Sequence, residues 1–107
     1  MRKIEAKMIA AVLTGGRVKD GNTEVVTRAS LFSRQIVTSV YLHGNLIAQN
    51  GGRGWGFNLR GWNTPTTRSR VNALLQGLEV PGRVYSVKGQ AHFNGKPIGH
   101  HDWVHVS

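Results

Sequence analysis

The chain has no cysteine, which excludes a disulfide framework, a thiolate zinc site and a cysteine nucleophile together. Acid is scarce: the carboxylates are Glu5, Asp20, Glu24, Glu79 and Asp102, scattered singly. A two-metal nuclease or a carboxylate-pair hydrolase needs such groups clustered, so neither reading starts well. Long apolar runs are missing too. The longest, Met8 to Leu13, falls far short of the roughly 20 residues of a membrane span. Arg2 and Lys3 precede it without an A-x-A-type cleavage pattern behind it, so a cytosolic protein without a signal peptide is expected. No internal repeat, phosphate-binding Walker loop or zinc-protease helix motif is present.

What is abundant is positive charge. Fourteen Lys and Arg against five acids give a net charge of +9 over 107 residues. A surface this basic repels itself, and the usual compensation is a polyanion. The length suits one domain, residues 1–107, burying roughly 65% of the surface its unfolded form exposes. Fourteen glycines and a 39% apolar content read as a turn-rich globular chain rather than a disordered tail.

Residues 2–14 read as a helix. Ile4, Met8, Ala11 and Val12 form one stripe at the 3.6-residue period, and Gly15-Gly16 ends it. Glu5 falls on the apolar side. It either gains from the helix dipole near a frayed first turn or partners an arginine from the sheet. A loop is expected over 17–22. Strand signals follow at 23–28, at 35–43, at 46–49 after a Gly44-Asn45 turn, and at 55–62. Alternation sends Trp55, Phe57 and Leu59 inward and Asn58, Arg60 and Trp62 outward. A second helix is predicted from Pro65 to Leu78, with Thr64 as N-cap and Val71, Leu74, Leu75 and Leu78 as its buried stripe. Strands at 83–93, 96–98 and 103–106, with a turn at Asn94-Gly95, complete the chain. The fold class is α+β: an antiparallel sheet packed by two helices, in the order α-β-β-β-α with C-terminal strands.

Three stretches carry a resemblance: the opening Met-Arg-Lys-Ile-Glu, Tyr41-Leu-His-Gly-Asn-Leu-Ile-Ala48, and Gly61-Trp-Asn-Thr-Pro-Thr-Thr-Arg-Ser-Arg-Val-Asn-Ala-Leu-Leu75. Together they are similar to a family of small tailed-bacteriophage proteins, over about residues 1–78. The resemblance implies a phage origin and action in the bacterial host cytosol. It carries over no catalytic residues.

Three constellations can hold chemistry. At the start of the second helix, Thr66, Thr67, Arg68, Ser69 and Arg70 gather two guanidiniums and three hydroxyls where free N–H groups already favour an anion. In 100° steps Arg68 and Arg70 fall on opposite flanks of the buried stripe, so both are expected to stretch along the sheet surface. The plain alternative is an ordinary capped turn. The second constellation is the glycine-rich segment from Asn50 to Trp62. It offers Arg53 and Arg60 as charges and Trp62 as a stacking platform, or is simply a glycine-rich turn joined to a core strand. The third is the tail with His100, His101, Asp102 and His105. His101 and His105, or Asp102 and His105, have a spacing that could chelate a metal on a helix, but a turn or strand is expected here. Zinc would need an unusual ligand set, so no metal or other cofactor is expected and these histidines read as surface groups.

The leading functional expectation is therefore a non-enzymatic phage accessory protein. It binds nucleic acid through Arg53, Arg60, Trp62, Thr66, Thr67, Arg68, Ser69 and Arg70. The order α-β-β-β-α, with basic residues opening the second helix, is also that of the double-stranded-RNA-binding domain, which favours duplex or structured RNA over DNA by analogy of fold. The alternative is an effector that binds and inhibits a host defence or transcription complex, with exposed aromatics such as Trp62 or Trp103 as interface anchors.

Overall fold

A computed structural model describes residues 2–29, 32 and 34–106. Met1, the first residue of the opening Met-Arg-Lys-Ile-Glu segment, lies outside the described residues. The chain runs α1 (Lys3–Thr14), β1 (Val18–Asp20), β2 (Thr23–Ala29), β3 (Ile36–Leu42), β4 (Asn45–Asn50), β5 (Trp55–Phe57), α2 (Pro65–Gly77), β6 (Val84–Val87), β7 (Gln90–Phe93), β8 (Lys96–Pro97) and β9 (Val104–His105). Two antiparallel sheets result, one of six strands in the order β1-β2-β3-β4-β5-β9 and one of three in the order β6-β7-β8. The fold is α+β with two helices, as expected. Among the described residues, five strands rather than three separate the helices.

The differences have local causes. Residues 18–20, expected as loop, pair with β2 through a tight turn at Gly21-Asn22. The hairpin expected to turn at Gly44-Asn45 turns at His43-Gly44 instead, with φ of 51° and 78°. A two-residue turn of this kind needs positive φ at both central positions, and the glycine takes the second. The same X-Gly pattern recurs at Lys88-Gly89, with φ of 50° and 81°, and it divides the stretch 83–93 into β6 and β7. The turn expected at Asn94-Gly95 is present, with φ of 52° and 82°. The last strand crosses back to join β5, so the tail belongs to the large sheet.

One row across the large sheet, Val25–Val40–Ala48–Phe57–Val104 in register, faces the helices. Met8, Ala11 and Val12 of α1 and Val71, Ala73, Leu74 and Leu75 of α2 close over it. Trp55, Phe57 and Leu59 are buried there as the alternation predicted. Asn58, expected on the outer side, is buried instead. It donates to His101 O at 3.0 Å, and its Oδ1 accepts from Arg60 N at 2.8 Å. The three-stranded sheet packs on α2, and Phe93 meets Phe57 edge to face at a 5.4 Å centroid distance. Gly77 lets the helices approach: a Cβ there would meet Ile9 Cγ2 at 2.5 Å.

Candidate nucleic-acid interface

The start of α2 follows from its sequence. Thr64 Oγ1 accepts from Thr67 N at 3.2 Å, and Pro65 fits the first turn, where a missing N–H costs nothing. From this shared origin the five candidate side chains at 66–70 separate onto three sides of the helix.

Arg70 goes inward. It is 3% exposed and its Nη1 donates to Glu5 Oε2 at 2.9 Å, while Nε donates to Thr23 Oγ1 at 2.9 Å and Nη2 to Asn22 Oδ1 at 3.3 Å. Ser69 Oγ donates to the same Glu5 oxygen at 2.5 Å. Burial pushes the Glu5 carboxyl up, but the hydrogen bonds from Ser69, from Arg2 N and from Arg70, together with the Arg70 charge, outweigh it. The group is held below its ordinary value of 4.5. Arg70 is therefore a brace tying α2 to α1 and β2, not a surface arginine. Its partner Glu5 does meet an arginine, but one from the second helix rather than the sheet. Thr67, 2% exposed, is likewise withdrawn into the cap, its Oγ1 3.0 Å from that of Thr64. These two positions leave the expected binding surface because neither polar group is open to a ligand.

Trp62 and Thr66 border an apolar cavity of about 500 Å³ with Leu42, His43 and Leu59 on the side of the large sheet. Trp62 is exposed, as expected. Arg60 is exposed on the turn that Trp62 N closes by donating to Leu59 O at 2.9 Å, away from the hollows lined by the other candidates. Arg53 lies across the molecule, in a separate hollow with Trp103. The expected residues therefore do not form one patch.

Arg68 and Ser69 face a groove of about 830 Å³ between α2 and the small sheet, together with Asn72, Arg83, Tyr85 and Ser86. The walls are pinned by side chains. Asn72 imitates a strand, donating Nδ2 to Val84 O at 2.8 Å and accepting from Val84 N at 2.7 Å. Arg68 Nη1 donates to Asn63 O at 2.9 Å and Asn63 Oδ1 at 2.6 Å, and Asn63 Nδ2 in turn reaches Ser86 Oγ at 3.0 Å. Tyr85 stacks on His92 with a 5.4 Å centroid distance and a 13° interplanar angle. Glu5 is the single carboxylate among the lining residues, and Arg70 neutralises it from inside. The groove keeps the charge of Arg68 and Arg83, with hydroxyl donors and one aromatic beside them.

The whole chain, residues 1–107, matches the Kyanoviridae Gp96 protein family, a phage protein family. The chain belongs to that family. No curated protein and no solved structure matches it. The match extends past residue 78 to include the small sheet and the histidine-bearing tail, so this family member keeps its groove and both its walls within the matched span.

Sequence reasoning missed Tyr85, Ser86, Asn72 and Asn63 as parts of this site. Nothing local marks them, because their role comes from the crossing of β6 over α2. Arg83 was visible only as one basic residue among many. Among the described residues no three of His, Asp and Glu converge to hold a metal ion, and no helix is long and apolar enough to cross a membrane.

Proposed function

We propose that this phage protein is a non-enzymatic nucleic-acid-binding accessory protein whose backbone-binding groove lies between α2 and the small sheet. The observation that carries the reading is the groove's charge balance: Arg68 and Arg83 line it, while its single carboxylate is already paired with buried Arg70. Guanidiniums suit phosphate because they donate two parallel hydrogen bonds, and the overall charge of +9 steers any polyanion toward the protein. The hydroxyls of Ser69, Tyr85 and Ser86 add donors and acceptors of the kind that meet a ribose 2′-OH, which favours structured RNA over DNA. Among the described residues both helices pack against the sheets and neither projects as a recognition helix, so contacts to phosphate and sugar dominate over base reading. With five strands between the helices and Arg70 buried, the analogy to the double-stranded-RNA-binding domain no longer supports this preference.

The competing reading, an effector seated in an acidic groove of a host protein, draws on the exposed Phe32, Ile36 and Trp62 side chains. A tagged pull-down from phage-infected lysate, split into nuclease-treated and untreated halves, separates the two. Nucleic acid in the untreated half, with co-purifying proteins lost on nuclease treatment, is the expected result. One host protein retained at near-stoichiometric yield after nuclease would overturn the proposal in favour of the effector.

A further inference from the structure

The glycine-rich segment and the tail, 50 residues apart in the chain, meet on the face of the large sheet that points away from the helices. Registered pairing sets Gln49 beside Gly56 and Gly56 beside His105, so these three occupy one row across β4, β5 and β9. This row alternates with the core row Ala48–Phe57–Val104 and so lies on the opposite face. In its centre Gly56 is buried beneath the tail. A Cβ there would come within 3.4 Å of Trp103 Cε3 and 3.3 Å of His105 Nδ1, so indole and imidazole stand directly against the missing side chain. The hollow has a volume of about 340 Å³, at the small end of the roughly 300–1,000 Å³ typical of small-molecule sites. Arg53 reaches it from the glycine-rich turn, and among the described residues no carboxylate side chain lines it.

Each part answers a different portion of one ligand. Trp103 is 38% exposed, enough to present an aromatic face to a planar ring. The Arg53 guanidinium suits a phosphate monoester bidentately. Gln49 spends its Nε2 on Ser39 Oγ at 3.1 Å, which fixes the carboxamide and leaves its oxygen to accept from a base amino group. His105 adds a further donor, and Gly51 and Gly54 let the backbone come close. The hollow is too small for a duplex.

We infer that the hollow formed by Gln49, Arg53, Gly56, Trp103 and His105 is a second binding site, for a nucleoside monophosphate, whether free or as the phosphorylated end of a strand. It lies on the other side of the sheet from the α2 groove and stands whether or not that groove binds nucleic acid.

The test is calorimetric titration of the intact protein with adenosine monophosphate, and with a short single-stranded oligonucleotide carrying a 5′-phosphate. Arg53→Ala and Trp103→Ala are each expected to weaken adenosine monophosphate binding at least tenfold. Trp103→Phe, which keeps an aromatic ring, should restore most of the affinity and guards against a folding defect. Ribose 5-phosphate should bind at least tenfold more weakly than the nucleotide. The Arg68→Ala/Arg83→Ala protein should bind adenosine monophosphate as the wild type does. A tighter, Arg53-dependent fit to the oligonucleotide would make the strand end the ligand, and a weaker one would make it the free nucleotide. Absence of nucleotide binding to the wild type, or binding untouched by Arg53→Ala and Trp103→Ala, would overturn the assignment. Loss through Arg68→Ala/Arg83→Ala alone would overturn it too, while leaving the groove standing.

Discussion

Arg68 and Arg70 sit two residues apart on one helical turn and do opposite work. Arg70 is sealed inside with three side-chain partners from α1, β2 and the β1–β2 turn. Arg68 lies half-buried at a groove, one end of its fork held by Asn63. At 100° per residue the two side chains diverge by about 200° around the axis, so a helix packed on both sides must send one to each. A basic cluster in sequence is thus not a basic patch in space. What separates them is a buried carboxylate: Glu5 creates an interior position that only a cation can fill, and Arg70 fills it.

The sharpest way to break this contrast is to truncate each arginine in turn. Arg70→Ala strands Glu5 as an unpaired buried charge and should cost about 3–5 kcal/mol of stability, read from urea denaturation midpoints. Arg68→Ala removes hydrogen bonds at a partly exposed site and should cost only about 1 kcal/mol. Equal losses would contradict the division into brace and groove.

Acid should probe the brace from its other end. The folded protein holds the Glu5 carboxyl below its ordinary value, so the stability from this group is present above about pH 4.5 and disappears as pH falls through the folded value. Glu5→Gln has no proton to gain there. It should be less stable than the wild type at pH 7, and the gap should narrow toward pH 3 in denaturation curves. A gap that stayed constant would mean the carboxylate is not held by Arg70 and Ser69. The smallest expected effect belongs to Trp62→Ala. Trp62 borders the apolar cavity rather than the groove, so nucleic-acid affinity should change less than twofold in a fluorescence anisotropy titration. A tenfold loss would move the binding surface to that side of α2.

Much of the fold was legible because periodicity encodes it. The stripe Val71, Leu74 and Leu75, the Thr64 cap and the inward set Trp55, Phe57 and Leu59 all stand where pattern placed them. Turn position was legible only to within one residue, since both His43-Gly44 and Gly44-Asn45 carry turn chemistry and the strand register decides between them. The site was less accessible. Glu5 on an apolar stripe left a buried partner as only one of two readings, and which arginine reached it depended on helix crossing rather than on either helix alone. The groove depends on β6 docking through Asn72, a long-range contact with no local signature. Arg53 and the tail likewise became neighbours only through the pairing of β5 with β9.

The most direct test of the central claim is the salt dependence of nucleic-acid binding, measured for the wild type and the Arg68→Ala/Arg83→Ala protein on the same labelled structured RNA. Each phosphate contact contributes roughly 0.7–0.9 to the slope of log affinity against log salt. The double variant should therefore bind more weakly, with a slope shallower by about one to two units, while its loss of stability stays near the roughly 1 kcal/mol expected for Arg68→Ala alone. An unchanged slope would show that the groove between α2 and the small sheet does not hold the backbone.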